Sequence, residues 1–540
     1  MLKGIWMSRF QHVAAAVLVL TLGVASSSKG QPASTPDNED KSWGDESADN
    51  VGFAPPPPDN QVDEGQADQE GWNDANDDIG FGDSQPDENA ASHEPPPSAQ
   101  AGTLSATGFV RHRSGLWVEQ LNSNALAQAR TSLDGQMRYH KRFRWAGAPW
   151  TLRLVAGGHG EVDLAYFYNK QRFDDATIDM YRKRFIGGET YASIAQGPLE
   201  LTVGRQIVPF GQGTMLTTLD VVNPRDLREP GLADIEDMRI AVLGSRAGVF
   251  LGYHRLEFLM VHEAYFGLRP PPVSFFSPIK PLLLTLPPAL VPHQYTHQPK
   301  RFSIDGQQYY VRYAYAGPGA DVALYGGSTL DQIGLPVLST FNQLAAMAQN
   351  GQAPKLELLH RRYLMAGASA AVPLGAIVLR GEAGIDVNRP IGLVEPVGSV
   401  GADDPLFYYA FREQLNWMAG VTYTGISNAS VSLEYAGRYV FNNPARLLRP
   451  SLADLGLLYR HDLFDERIRL TMAAGTFGLF YHYQGMFGRL EVDYAFDNGL
   501  RTGIGYVTYQ PYGDDQLAAL TGFNRNDRAY VTLRWDFMLD

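Results

Sequence analysis

The stretch Tyr530-Val531-Thr532-Leu533-Arg534-Trp535-Asp536-Phe537-Met538-Leu539 decides the fold class. Val531, Leu533, Trp535, Phe537 and Leu539 fall on one side of an extended strand. Tyr530, Thr532, Arg534 and Asp536 fall on the other. A period of two is that of a strand whose faces meet different surroundings. Aromatic residues on the apolar face of a terminal strand suit a strand that faces lipid at its edges.

The same pattern recurs upstream. Leu490, Val492 and Tyr494 alternate with Arg489, Glu491 and Asp493. Ile468, Leu470 and Met472 alternate with Arg467, Arg469 and Thr471. Tyr309, Val311 and Tyr313 alternate with Tyr310 and Arg312, and Leu152, Leu154 and Val162 with Arg153, Glu161 and Asp163. If the apolar set faces lipid, the charged set lines an interior, and these charges are candidate lumen groups. Short turns are expected at 146–149, 196–198, 245–248, 317–319, 373–375, 425–428 and 497–499. Long connections are expected near 207–236, 265–304, 328–359, 388–414, 439–454 and 509–527. Short turns at one end and long loops at the other are the asymmetry of an all-β transmembrane antiparallel barrel, here with about 18 strands, or 16. An even strand number puts both chain ends on one side.

The N-terminus reads as a signal peptide over residues 1–28. Lys3 and Arg9 precede an apolar run from Val13 to Val24, which is shorter than the roughly 20 residues of a spanning helix. Residues 29–104 read as a disordered acidic segment. Between 31 and 100 there are 18 acids and one base, Lys41, leaving 40 acids and 44 bases elsewhere. Runs of proline at 55–58 and 95–97 add to a composition that buries too little to offset chain entropy. Within it, Trp43 leads on to Phe53 and Trp72 to Phe81 in an imperfect duplication. This is either chance or a pair of motifs that dock a periplasmic protein. Residues 105–540 form the expected barrel, in contact with outer-membrane lipid and lipopolysaccharide.

The segment Gly204-Arg205-Gln206-Ile207-Val208-Pro209-Phe210-Gly211, followed by Asp220-Val221-Val222-Asn223-Pro224-Arg225-Asp226, resembles a poorly characterised group of proteobacterial porin-like barrels. Those carry a Gly-Arg-Gln strand end, an aromatic-Gly pair and an Asp-x-x-Asn-Pro-x-Asp loop. Glu189 and Tyr191 fit the pattern as well, while Phe210 stands where Trp is expected. The resemblance covers about residues 105–275. It implies a porin-like outer-membrane barrel and names no solute.

Physically, Asn223-Pro224-Arg225-Asp226 has turn chemistry. Parity places Gln206 inward and Arg205 outward, which requires a rim position or a bulge at Gly204; a bulge is expected. An in-folded loop that constricts the pore, fixed by Arg205 to Asp220 or Asp226, is one reading. A loop lock with no effect on transport is the other. The Pro-rich stretch from Pro270 to Pro299 reads either as a plug or cap of the barrel or as a surface loop stabilised by lipopolysaccharide or a neighbour, and 339–350 reads as a short helix.

The chain has no cysteine, which excludes disulfides and thiolate chemistry. No nucleophile elbow or phosphate loop is present, and no metal or cofactor pattern stands out. His293 and His297 have a helical metal spacing but sit in the Pro-rich loop. The only strong charge cluster is acidic, which excludes nucleic acid. Two functions remain: passive passage of small polar solutes with at most weak anion preference, or an envelope anchor whose acidic segment recruits partners.

Overall fold

Eighteen strands pair antiparallel into one closed sheet. The computed structural model describes residues 102–539 apart from 121–124, 285, 338–340, 353, 394–407, 444–450, 480–483, 513–519 and 524. The signal peptide, the acidic segment up to residue 101, and Trp43, Phe53, Trp72 and Phe81 lie outside the described residues.

The barrel begins with β1 (Thr103–Trp117), β2 (Leu126–Trp145), β3 (Ala148–Asp163), β4 (Lys183–Gln196), β5 (Leu199–Gln206), β6 (Val242–Leu251) and β7 (His254–Val261). Strand β8 (Gln294–Gln298) belongs to the long loops, and β9 (Gln308–Gly317) and β10 (Ala320–Leu330) resume the wall. Strands β11 (Leu335–Val337) and β12 (Lys355–Leu359) join β8 in a separate three-stranded sheet. The wall continues as β13 (Arg362–Leu374), β14 (Ile377–Leu393), β15 (Tyr408–Tyr423), β16 (Ala429–Val440) and β17 (Ser451–Leu463). It ends with β18 (Ile468–Phe477), β19 (Gly485–Ala495), β20 (Leu500–Pro511) and β21 (Arg528–Leu539). β1 pairs with β2 on one side and β21 on the other, which closes the sheet. Closure leaves no edge whose backbone groups would be stranded in hydrocarbon.

The terminal strand adopts the expected register. Val531, Leu533 and Trp535 are exposed on the outer face, and Tyr530 and Thr532 are buried within. On β9, Tyr309, Val311 and Tyr313 are exposed and Gln308 and Tyr310 are buried. A one-residue slip would carry every charge of such a strand into lipid, so the membrane itself enforces the register.

Most short turns fall where expected. The turn assigned to 245–248 does not: those residues lie within β6, and the reversal comes at Gly252 and Tyr253. Ser245 and Arg246 continue the alternation in register with β5 and β7, so the small residues there mark no turn. A turn at 464–467 joins β17 to β18 and was not foreseen. Thr103 and Leu539 lie at the end of the barrel that carries the short turns. The helices used below are α1 (Ile235–Met238), inside the barrel, and α2 (Phe341–Gln349), which fulfils the expectation at 339–350. Among the described residues no helix is long and apolar enough to cross a membrane.

Candidate functional site

The connection from β5 to β6 folds into the barrel in two lobes tied by a central knot. The knot is the Asp-x-x-Asn-Pro-x-Asp stretch. Asn223 is almost wholly buried. Its Oδ1 accepts from Val208 N–H at 2.7 Å, and its Nδ2 donates to the carbonyls of Gln206 (3.1 Å) and Ile240 (3.0 Å). One amide thus joins both ends of the loop. Asp220 accepts from Arg225 at 3.1 Å and from Arg239 at 2.9 Å. Asp226 accepts from the side chain of Arg228 at 2.9 Å. Glu189, on β4, accepts from Ile207 N–H at 2.9 Å, and Gln206 donates to the Gly244 carbonyl at 3.2 Å. Phe210 packs edge-on against Tyr310 and beside Tyr325 on the inner wall.

Lobe one, residues 211–219, crosses to β14 and β16. There two wall carboxylates capture its backbone. Glu382 accepts from the N–H groups of Gln212 (2.6 Å), Gly213 (2.8 Å), Thr218 (2.9 Å) and Leu219 (3.2 Å). Glu434 accepts from those of Thr214 (2.7 Å), Met215 (2.8 Å) and Leu216 (2.8 Å). The hydroxyls of Thr214 and Thr218 complete the two sets. Both carboxylates are buried, and N–H donors disperse their charge as a cation would. Gly211 has φ +89° and lies against Glu382, where a Cβ would stand 2.3 Å from the carboxylate. Only glycine fits that approach.

Lobe two, residues 228–238, is anchored on the wall from β17 round to β3, and here the loop carries the acids. Glu229 accepts from Arg130 on β2 at 2.7 Å and from Arg528 on β21 at 2.8 Å. Asp234 pairs with Arg489 on β19 and with Arg460 on β17, the latter at 2.6 Å. Arg228 reverses the polarity and pairs with Glu161 on β3. Arg130 also meets Asp163 at 3.3 Å.

Arg205 corrects the expectation. The register of β5 with β4 and β6 runs unbroken through Gly204, so there is no bulge. Gly204 has φ +136°, and a Cβ there would meet the Thr190 carbonyl at 2.3 Å. Arg205 lies at the end of β5 and donates to the Ala241 carbonyl (2.6 Å) and to Glu263 (3.0 Å). Its acid is therefore Glu263, which also takes Arg301 at 2.7 Å, and not Asp220 or Asp226. It ties strand ends at the rim, while Asn223 ties the loop.

Of the candidate lumen charges, Arg312 pairs with Glu257, and Arg469 pairs with Asp462 at 2.8 Å. Arg489 and Glu161 hold the loop, Glu491 accepts from Tyr530 at 3.3 Å, and Arg153 and Asp493 take the inward register of β3 and β19. Arg467 is misplaced: it lies in the turn before β18, half-exposed beside Asp497. Sequence reasoning singled out none of Glu229, Asp234, Glu382 and Glu434 as an anchor of the loop. The available signal was a glutamate at an inward position among small residues, Gly381-Glu382-Ala383-Gly384.

The Pro-rich connection between β7 and β9 spans the barrel mouth. Phe275 and Phe276 reach Trp117 of β1, and Asn526 donates to the Phe275 carbonyl at 2.6 Å. The stretch is a cap. Its strand β8 pairs parallel with β12. There the rings of Phe266 and His360 stack at 3.4 Å, and Nδ1 of His297 lies 2.9 Å from Nε2 of His360. His360 Nδ1 donates to the Asp331 carbonyl at 2.6 Å, so its Nε2 accepts from His297. Burial pushes His297 down to about 4 and His360 down to about 3. Among the described residues no three metal-binding side chains converge.

A family described as "Protein of unknown function (DUF1302)" matches residues 167–447, a little over half of the chain. The match includes the knot and both wall carboxylates. It starts later and ends further on than the resemblance drawn from residues 105–275. No curated protein matches. Among solved structures, OccAB4 of Acinetobacter baumannii is similar at 9% identity and TM-score 0.45, over 82% of this chain and 100% of that one. OccD3 (OpdP) of Pseudomonas aeruginosa is similar at 9% and 0.43, over 82% and 92%. OpdK of Pseudomonas aeruginosa, crystallised with vanillate, is similar at 10% and 0.43, over 81% and 99%.

Proposed function

The chain belongs to the DUF1302 family of proteins of unknown function, and from that premise and its interior we propose that it is an outer-membrane porin-like barrel through which small polar solutes pass passively. The observation that supports this reading is the inner loop. Its two lobes are bound along the wall from β14 round to β3, which narrows the lumen with polar and charged groups. A loop serving only to lock the fold would have no need to reach β14, β16, β19 and β21. Lumen acids and arginines are interleaved, so ion preference is weak and anionic at most. The short turns face the periplasm in this reading, and the acidic segment lies on that side.

The test is single-channel conductance of the mature protein in a planar bilayer, with and without residues 31–100. Steady openings whose size follows salt concentration are expected in both forms. Silence from a correctly inserted barrel, or loss of openings on deletion alone, would overturn the reading.

A further inference from the structure

The hairpin of β2 and β3 stands clear of its neighbours at its tip. β1 pairs with β2 only as far as Thr103, opposite His140. Beyond that point Lys141 to Trp145 pair with β3 alone, ending with Trp145 opposite Ala148. Strand β4 meets β3 only from Thr151 onward. The free length of β2 is five residues, or about 17 Å. Its two faces differ. Phe143, Trp145 and Trp150 share the outer face with the exposed Met137, and Trp150 Nε1 donates to the Trp145 carbonyl at 3.3 Å. Aromatic residues there suit the membrane interface. Arg142 and Arg144 share the inner face with the buried Ser132, and Arg153 shares it with the buried Val155.

All three arginines are exposed. Among the described residues none of them has a hydrogen-bond, ion-pair or ring partner. From Gly135 to Gly160 the chain holds five Lys or Arg and no acid. Acids near this stretch are engaged elsewhere: Glu200 accepts from Ser193 at 2.7 Å, and Asp134 stands 3.4 Å from His159.

The chain enters the barrel beside this hairpin. Gly102 lies against the Tyr139 ring, where a Cβ would stand 2.4 Å from it. Just before it in the sequence, residues 73–100 hold seven acids and no Lys or Arg. The last of these acids, Glu94, is nine residues from Thr103, a stretch that spans about 30 Å when extended. That exceeds the free length of the hairpin, so all seven acids can reach its inner face. A tethered segment also acts at an effective concentration of order millimolar, ahead of a free acidic partner. Lipid headgroups meet the outer face, from which the three arginines are turned away.

We propose that the inner face of this hairpin is the docking surface for the chain's own residues 73–100, whose carboxylates lie on Arg142, Arg144 and Arg153. The inference goes beyond passage and does not depend on it.

The chain has no cysteine, so spin labels attach only where cysteines are introduced. The test is the distance between nitroxide labels on Ser84→Cys and Ala146→Cys, read by pulsed electron spin resonance in the mature full-length protein in phosphatidylcholine nanodiscs. A narrow distance distribution is expected at about 0.1 M salt. It should be lost at about 1 M, where the screening length falls to about 3 Å. Arg142→Gln, Arg144→Gln and Arg153→Gln together should abolish it at low salt. Changing the seven acids of 73–100 to Asn or Gln should do the same, and these positions precede the barrel, so they test the contact even if the wall variant does not fold. Lys141→Gln, on the outer face, should change nothing. A broad distribution at low salt in the otherwise unaltered protein would overturn the docking, as would a narrow one that either set of changes leaves in place. Loss of the narrow distribution on replacing phosphatidylcholine with phosphatidylglycerol would assign the arginines to lipid headgroups and overturn it as well. Because the readout is a distance, a silent channel leaves the docking standing, and an undocked segment on an open channel leaves passage standing.

Discussion

The two lobes of the inner loop solve one problem with opposite chemistry. In lobe one the charge sits on the wall, and bare backbone N–H groups of the loop surround it. In lobe two most of the charge sits on the loop, as Glu229 and Asp234, and arginines of the wall surround it. The difference lies in geometry. A carboxylate that accepts several N–H donors requires one backbone path, because donors are fixed along the chain. A carboxylate met by long arginine side chains tolerates displacement, because the side chains can follow. Lobe one is therefore the rigid half and lobe two the adjustable half. The adjustable half carries Glu236 and Asp237 into the lumen.

The contrast breaks most sharply at Glu434. Glu434→Gln places an amide donor against either Thr214 or the pair Met215 and Leu216. Each stranded buried donor costs about 1–3 kcal/mol. Docking of lobe one should weaken by about 2–5 kcal/mol on the same arithmetic. Glu382→Gln combined with Glu434→Gln should release the lobe. Larger single-channel conductance and new protease cleavage between 212 and 219 are expected. Unchanged values for both would show that the carboxylates do not hold the loop.

Asn223→Ala removes three hydrogen bonds from the knot and should weaken it by about 2–4 kcal/mol. Because the knot ties both lobes, hydrogen exchange should rise in both together. A rise confined to one lobe would separate them.

Lobe two should show a smaller effect. Glu229→Gln keeps an acceptor for one of its two arginines and should cost about 1–2 kcal/mol. Raising salt from about 0.1 to 1 M shortens the screening length from roughly 10 to 3 Å. Exchange in lobe two should therefore respond to salt, and exchange in lobe one should not. Equal responses would remove the distinction.

The cap depends on pH instead, because its neutral groups stand where lobe two has charged ones. His297 and His360 are held down to about 4 and 3, against an ordinary value near 6.5. The opened cap binds protons below about pH 6.5 and the closed cap does not. Cap stability is thus complete above pH 6.5 and declines as pH falls toward 4. Protease sensitivity near 294–298 and 355–359 should rise between pH 7 and 5, and His360→Phe should reduce that rise without removing the part that His297 contributes.

The barrel was legible because each strand reports its own surroundings. Val531, Leu533 and Trp535 differ from Thr532 and Arg534 in hydropathy alone, and lipid on one side suffices to read them. The knot was partly legible, since Asn223 and Asp226 announce a turn. Arg205 was not, because parity states where a side chain starts and not where a long one ends. Glu382 and Glu434 looked like any inward acids. Their donors are backbone groups about 165 and 220 residues away in the chain, and backbone N–H carries no residue identity.

The sequence by itself determined a closed, lipid-facing barrel, because alternation is local and the membrane imposes one meaning on it. Only the tertiary structure decided which interior charges are satisfied. An ion pair across a barrel depends on distances that strand register and loop path set together, and no short stretch of chain records them. That is why Arg153 and Arg489 read alike along their strands, and why only the folded loop pairs Arg489 with Asp234.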